Sequence, residues 1–196
     1  MRPFARTSPA LVAALITDPF YRAITADFAV DSVLVKRVLQ SYFEYSLSEA
    51  KRTGRCVVAD DSKLGASAWL LPRTEQVQAS ESAAKASFLA ATLGPRGNIN
   101  YQRIIEFMSP LASIAVPSGA WYLSIIGIDP EAQGQGTGAR LLKPTLSEAD
   151  AAGAACYLET FSPRNIRFYE RLGFRSVASQ IEPCTAAPYV IMRRDV

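Results

Sequence analysis

Apolar and polar positions follow two different rhythms along this chain, and the change falls near residue 120. Before it, apolar residues mostly recur at helical spacing. Ser8 reads as the N-cap of a first helix, with Pro9 at its first position, running to about Thr17 before Asp18-Pro19 stops it. Residues 18–30 are expected to be a loop carrying Phe20, Tyr21 and Phe28. Asp31 is placed to cap a longer helix over about 32–52, with Val35, Leu39, Tyr42, Phe43 and Leu47 at helical spacing and Gly54 closing it. Two short strands, about 55–60 and 65–71, suggest a hairpin through a turn at Asp60-Asp61-Ser62-Lys63, with Pro72 ending the second. Residues 74–114, rich in alanine and leucine, read as two helices split at Gly94-Pro95-Arg96-Gly97.

After residue 120 the spacing shortens. Trp121 to Ile128 is nearly all apolar, as expected of a central strand covered on both faces. Gly127 interrupts it, which predicts a bulge or a close approach by another backbone. Gln133-Gly134-Gln135-Gly136-Thr137-Gly138 follows, and then a helical segment from Leu141 to Ala152 that Pro144 should kink. Ala155 to Thr160 is the next apolar strand, and Ser162-Pro163 opens a short helix through Leu172 that Gly173 stops. Strands at about 174–181 and 188–193 finish the chain. Strands and helices alternate only in the C-terminal half, without repeats or a linker. The pattern therefore predicts one mixed α/β domain over 1–196, with a helical part at 8–53, a helical insert at 74–114 and a core at 120–174.

Composition narrows the chemistry. With 49% hydrophobic and 20% charged residues the chain suits a globular protein. A net charge of only +3 gives no reason to expect nucleic acid or a membrane surface as partner. No apolar run approaches the ~20 residues of a membrane span. Arg2, Arg6 and the run Ala10 to Ile16 have faint signal-peptide character, but the run is short and lacks a small-residue cleavage pattern, so a folded helix and a cytoplasmic location are expected. Cys56, Cys156 and Cys184 are widely spaced and form no CxxC, which fits reduced thiols; Cys156, inside a strand, is expected in the core. There is no histidine, so acid–base work must fall to Tyr, Asp, Glu, Ser, Cys or water, and no metal is expected.

The glycine-rich stretch is the strongest chemical signal. Alternate glycines at a strand-to-helix junction leave backbone N–H groups free to point at one spot, and the helix dipole adds positive potential there. That arrangement cradles phosphate. A nucleotide P-loop would need GxxxxGK[ST], and no Lys-Ser or Lys-Thr follows these glycines. A dinucleotide fingerprint is a closer rival: Gly134, Gly136 and Ala139 fit GxGxx[GA], and Glu159 lies where a ribose-binding acid belongs. Against it, Asp129 to Gln133 separates strand from loop, and too little chain follows Glu159 to complete such a fold.

Two motifs in order favour acetyl-CoA. Gln133-x-x-Gly136-x-Gly138, after an apolar strand ending in Asp-Pro, resembles the pyrophosphate motif of the GNAT N-acetyltransferases. Asn165-Ile-Arg-Phe-Tyr169-Glu-Arg-Leu-Gly173-Phe174 resembles that family's second motif. Residues 120–174 are most similar to its puromycin N-acetyltransferase-like members, while before about residue 55 the likeness fades and no first strand is visible at 1–7. The resemblance implies a mostly antiparallel, twisted sheet flanked by helices, and acetyl transfer from acetyl-CoA by direct amine attack in a ternary complex.

It also implies roles. The pyrophosphate would meet the backbone of Gln135, Gly136, Thr137, Gly138 and Ala139, beside Gln133 and Gly134. The pantetheine amides would pair with Ile126, Gly127 and Ile128 as a short extra strand, an N–H there also polarising the thioester carbonyl. Gly127 has a rival structural reading, as a residue that merely lets a helix pack close. Tyr169 matches the family's acid for the departing thiolate, although its place between Phe168 and Leu172 also fits a core position. Asn165 resembles a CoA-contacting asparagine that usually stands seven positions before the tyrosine, where this chain has Ser162; both, with Phe168, are assigned to the cofactor. Glu159, at a strand end beside the cofactor strand, is the first candidate for the base, with Glu44, Asp60, Glu106 and Asp129 behind it.

The acceptor is expected to be a primary amine of a small molecule, met by the 18–30 loop, the 32–52 helix and the chain around Glu182 to Pro188, with a peptide N-terminus as the second option. A monomer or homodimer would suffice. The alternative class is a non-catalytic acetyl-CoA sensor or scaffold.

Overall fold

The computed structural model describes residues 3–61 and 64–196, so Ser62 and Lys63 of the expected hairpin turn lie outside the described residues. The chain opens in turns at residues 3–7 and enters α1 (Ser8–Leu15). Thr7, not Ser8, holds the N-cap position, and it makes no side-chain cap bond. Ser8 is instead buried, its hydroxyl donating to Glu44 Oε1 at 3.1 Å.

Residues 18–30 are not a loop. Asp18-Pro19 both stops α1 and starts α2 (Pro19–Ile24), because the fixed φ of Pro19 suits a first helical turn and the Asp18 carboxylate accepts from Phe20 N at 2.9 Å. A single 3₁₀ turn, Ala26–Phe28, leads on to α3 (Ser32–Thr53). There Asp31 caps as expected, accepting from Val33 N and Leu34 N at 2.9 and 3.1 Å. The insert folds as α4 (Glu75–Thr92) and α5 (Gly94–Ala115), broken at the expected glycine–proline pair.

Among the described residues, β1 (Gly54–Val58), β2 (Gly65–Leu70), β3 (Trp121–Ile128), β4 (Cys156–Thr160), β5 (Arg175–Glu182) and β6 (Ala187–Arg194) form one sheet, ordered β1-β2-β3-β4-β6-β5. Only β3 and β4 run parallel; every other pair is antiparallel. The connection between the parallel strands carries the glycine loop and α6 (Thr137–Ala151), and α7 (Ile166–Glu170) links β4 to β5.

Besides a bulge at Val177 in β5, two irregularities interrupt the sheet. The first is a bulge, and it lies at Ser124 rather than at Gly127. Ala68 pairs with Ile125 and Trp69 with Leu123, so Ser124 is an extra residue in β3. It flips the faces: Leu123 packs with Leu142 and Leu146 of α6, while Ile125, two residues on, packs with Leu11, Phe43 and Leu47 of α1 and α3. Gly127 has the other reason for being glycine. A Cβ there would stand 2.7 Å from Leu11 Cδ2, so its missing side chain lets α1 lie close on the sheet.

The second irregularity is a splay. Pairing between β3 and β4 ends at Leu123 with Leu158, yet β3 stays paired to β2 as far as Ile128, and β4 to β6 as far as Thr160. The parallel strands thus part beyond Leu123, leaving one edge of β3 open.

Candidate active site

A cleft of about 650 Å³ occupies the gap where the strands part. Its edge is Ile126, Gly127 and Ile128, and its far wall is Ser162, Asn165, Phe168 and Tyr169. The glycine loop closes one end. Gln133 anchors the loop by donating from Nε2 to the Ile128 carbonyl at 3.0 Å. Gly134 and Gly136 both take φ of +77°, which turns the chain back on itself before Thr137 begins α6. Gly134, Gly136, Thr137, Gly138 and Ala139 line the cleft, whereas Gln135 is exposed outside it. A Cβ on Gly138 would press against the Phe168 ring at 3.1 Å, so the third glycine keeps loop and α7 in contact.

Arg140, one turn into α6, reaches back over the loop. Its guanidinium donates to the Gln135 carbonyl at 2.9 Å and to Thr137 Oγ1 at 2.8 Å. Arg164 and Arg171 stand on the opposite wall. Loop N–H groups, a helix N-terminus and cations beside them fit an anionic, phosphate-bearing ligand with an extended arm along the open edge of β3.

A second cavity, about 160 Å³, adjoins the first. Leu15, Asp18, Ile126, Asn165 and Tyr169 line both. Glu159 projects into it, and its carboxylate accepts hydrogen bonds from the Tyr189 and Tyr122 hydroxyls. Aromatic rings form much of the remaining wall: Phe20 meets Tyr21, Tyr101 and Phe161 at centroid distances of 5.2, 6.0 and 6.0 Å. The helical insert supplies Tyr101, Ile105 and Met108 from α5 and Lys85 from α4. The chain around Glu182 to Pro188, expected here, lies elsewhere: Glu182 is consumed in the β5–β6 turn, accepting from Cys184 N and Thr185 N at 2.8 and 2.7 Å.

Residues 98–176, which hold the glycine loop, β3, β4 and α7, match the family model described as an acetyltransferase (GNAT) domain. The match spans 79 of the 196 residues, and that part of the chain is similar to a GNAT acetyltransferase domain. Acyl transfer is therefore its class of chemistry. Solved acetyltransferases share the whole fold. A Corynebacterium glutamicum protein described as histone acetyltransferase HPA2 and related acetyltransferase superposes with a TM-score of 0.63 at 23% identity, over 98% of this chain and 90% of that one. An agmatine N-acetyltransferase gives 0.63 at 13% identity, over 95% and 91%. A polyamine N-acetyltransferase of Drosophila melanogaster gives 0.58 at 14%, again over 95% and 91%.

Within the site, burial sets the protonation of the two central groups. Tyr169 is only 6% exposed. Burial pushes its phenol pKa well up, and the nearby Asp18 carboxylate pushes it further, so the hydroxyl keeps its proton at neutral pH. Burial also raises the Glu159 pKa, partly offset by the two tyrosine hydroxyls that stabilise its charged form. Asp18 is raised too, by burial, against the pull of its Phe20 N–H and of Arg164.

Among the described residues, Asp18 and Glu159 are the carboxylates lining the second cavity. The other sequence candidates stand apart from it: Glu44 is bonded to Ser8 between α1 and α3, Asp129 caps the turn after β3, and Asp60 and Glu106 are exposed. Sequence reasoning assigns no role to Asp18, Ser124, Arg140, Arg164 or Tyr122. Arg164 directly precedes the second motif, and a cation next to a phosphate site was the signal available there. Asp18 looks like a helix stop, and nothing local tells that its carboxylate would face Tyr169.

Proposed function

We propose that the protein transfers an acetyl group from acetyl-CoA to the primary amine of a small molecule, by direct attack in a ternary complex. The observation that carries this reading is the pair of adjoining cavities with Tyr169 in the wall of both. One fits an extended phosphate-bearing ligand; the other is small, aromatic and acidic, which fits an ammonium group. The fold-mates described as agmatine and polyamine N-acetyltransferases support an amine acceptor, and the likeness of residues 120–174 to puromycin N-acetyltransferase-like members supports an aromatic one.

Acetyl-CoA supplies an activated acyl group on sulfur. The chain's residues do the rest. Backbone N–H groups of the loop and Arg140, Arg164 and Arg171 hold phosphate charge. The open edge of β3 at Ile126 to Ile128 aligns the arm, and an N–H there polarises the acyl carbonyl. Glu159 takes the proton from the amine. Pairing of β4 with β3 ends one residue before it, at Leu158 with Leu123, and the strands part from there toward Ile126, which favours a relay through water. The new bond joins nitrogen to the acyl carbon as the carbon–sulfur bond breaks, and Tyr169 gives its proton to the sulfur.

Melting temperatures measured beside acetyl-CoA, CoA, NAD⁺ and ATP test the cofactor. A ligand at about a hundred times its Kd adds ~2.7 kcal/mol to the folded state. A rise with acetyl-CoA and CoA alone is expected, together with thiol release when an amine is added. Binding without thiol release from any amine would point to a sensor, and a rise with NAD⁺ would make Glu159 a ribose ligand.

Glu159→Gln tests the base. Activity needs the carboxylate ionised, so kcat falls as pH drops through its pKa, and burial places that limb above the ordinary carboxylate range. In the variant kcat should be lower and that limb should vanish. A limb at the same pH in both proteins would eliminate Glu159.

A further inference from the structure

The acceptor cavity has a second neighbour, on the side away from the glycine loop. A third cavity of about 460 Å³ opens beside α4 and the loop before β3, and Leu70, Lys85 and Tyr122 line both it and the acceptor cavity. The three cavities therefore stand in a row. From Tyr122 to Ile126 the acceptor cavity follows β3 for about 13 Å, at ~3.3 Å per residue.

Charge is sorted along that row. Asp18 lines both the cleft and the acceptor cavity, and Glu159 lines the acceptor cavity between its two ends; both are acidic. At the other end Arg73 and Lys85 line the third cavity with Glu49 between them. Glu49 cannot saturate both. Arg73 Nη1 and Nη2 reach Glu49 Oε1 only at 3.3 and 3.4 Å, and Lys85 Nζ reaches Oε2 at 3.4 Å. Charge-assisted bonds that are well made run at ~2.7–2.9 Å. Two cations thus share one carboxylate through long contacts, leaving one positive charge in excess and N–H donors unused. Glu81, also in this wall, does not cancel it, because Arg52 holds Glu81 at 2.8 Å. Nor is the excess charge simply solvated: the Arg73 and Lys85 side chains are 13% and 22% exposed.

We propose that Lys85, with Arg73, selects an acceptor whose far end is a carboxylate: an amino acid-like monoamine with an apolar or aromatic body, and not a diamine. This rests on the amine acetyl-transfer reading above. The ammonium end lies toward Asp18 and Glu159, the body against the Phe20, Tyr101 and Phe161 rings, and the carboxylate against Lys85 and Arg73. A diamine would place its second ammonium against an uncompensated cation inside a largely desolvated wall, which is a repulsive element as well as a lost attraction.

Three matched amines read this out with acetyl-CoA in excess: para-(aminomethyl)benzoate, para-methylbenzylamine and para-xylylenediamine. The carboxylate is expected to have a kcat/KM at least ~tenfold above the methyl compound, mostly through KM, with the diamine lowest. Lys85→Met keeps the apolar stem and should collapse the carboxylate-to-methyl ratio toward one; Lys85→Arg should retain it; Lys85→Glu should move the preference to the diamine. A wild-type preference for the diamine, or Lys85 variants that change all three amines equally, would overturn the proposal. So would acetyl-CoA binding with no transfer to the carboxylate amine. Failure of the underlying reading looks different: no melting shift with acetyl-CoA and no thiol release from any of the three.

Discussion

Tyr169→Phe should lower kcat by ~10²–10⁴-fold while leaving the acetyl-CoA melting shift unchanged. The substitution removes one oxygen and keeps the ring. The ring is held by neighbours the change does not touch: Phe168 and Phe174 pack edge-on at 5.1 and 6.1 Å, and the Tyr169 carbonyl accepts from Leu172 N and Phe174 N to close α7. Packing at this 6%-exposed position is therefore conserved, and a fall in kcat reports the hydroxyl. The phenol is a suitable acid because burial and Asp18 both disfavour its ionised form. Asp18→Asn would lower the phenol pKa by removing a nearby negative charge, but it touches the α2 cap as well, which makes the Phe variant the cleaner comparison. The measurement is kcat from thiol release at saturating amine and acetyl-CoA. An unchanged kcat would remove Tyr169 from the mechanism and leave sulfur protonation to water.

The regular elements were legible because their signals are local. The Asp31 cap, the glycine–proline break between α4 and α5, and the apolar runs of β3 and β4 each depend on a few neighbouring residues. The order of the sheet is a different matter. That β6 inserts between β4 and β5 depends on pairing partners 30 to 38 residues apart, and no spacing rule carries it. The bulge shows the limit most clearly. Gly127 is the visible anomaly in β3, where a bulge or a close approach by another backbone is expected; the close approach is there, from Leu11 of α1, whereas the extra residue is Ser124, an ordinary strand residue. What distinguishes it is its register against Ala68 and Trp69. Likewise Asp18-Pro19 is one signal with two outcomes, stop or start, and the choice depends on α2 finding α5 to pack against. The candidate site divides the same way. The loop and the α7 motif are contiguous in sequence, but the acceptor cavity is assembled from nine separate helices and strands, and the roles of Lys85, Asp18 and Tyr122 exist only through that assembly.

Gly136→Val should abolish the acetyl-CoA melting shift, corresponding to a loss of at least ~100-fold in affinity. Gly136 holds φ of +77° at the N-terminus of α6. A β-branched residue is a true outlier there, and the left-handed conformation costs ~1–2 kcal/mol for an ordinary L-residue. The chain cannot shed that strain quietly, because Arg140 is bonded on both sides of the glycine, to the Gln135 carbonyl and to Thr137 Oγ1. Relaxing to negative φ must break those bonds and swing the N–H groups of Thr137 and Gly138 away from the cleft. Strain alone would also lower the melting temperature of the free protein, so a matched control is needed. Gly153, just past the other end of α6, has φ of +63° and open space around its Cβ position. Gly153→Val carries comparable backbone strain on the same helix without touching the cleft. It should melt lower than the parent yet rise normally with acetyl-CoA. If both variants keep the rise, the loop does not hold the phosphates; if both lose it, the effect is general loosening of α6 and the cradle is left without support.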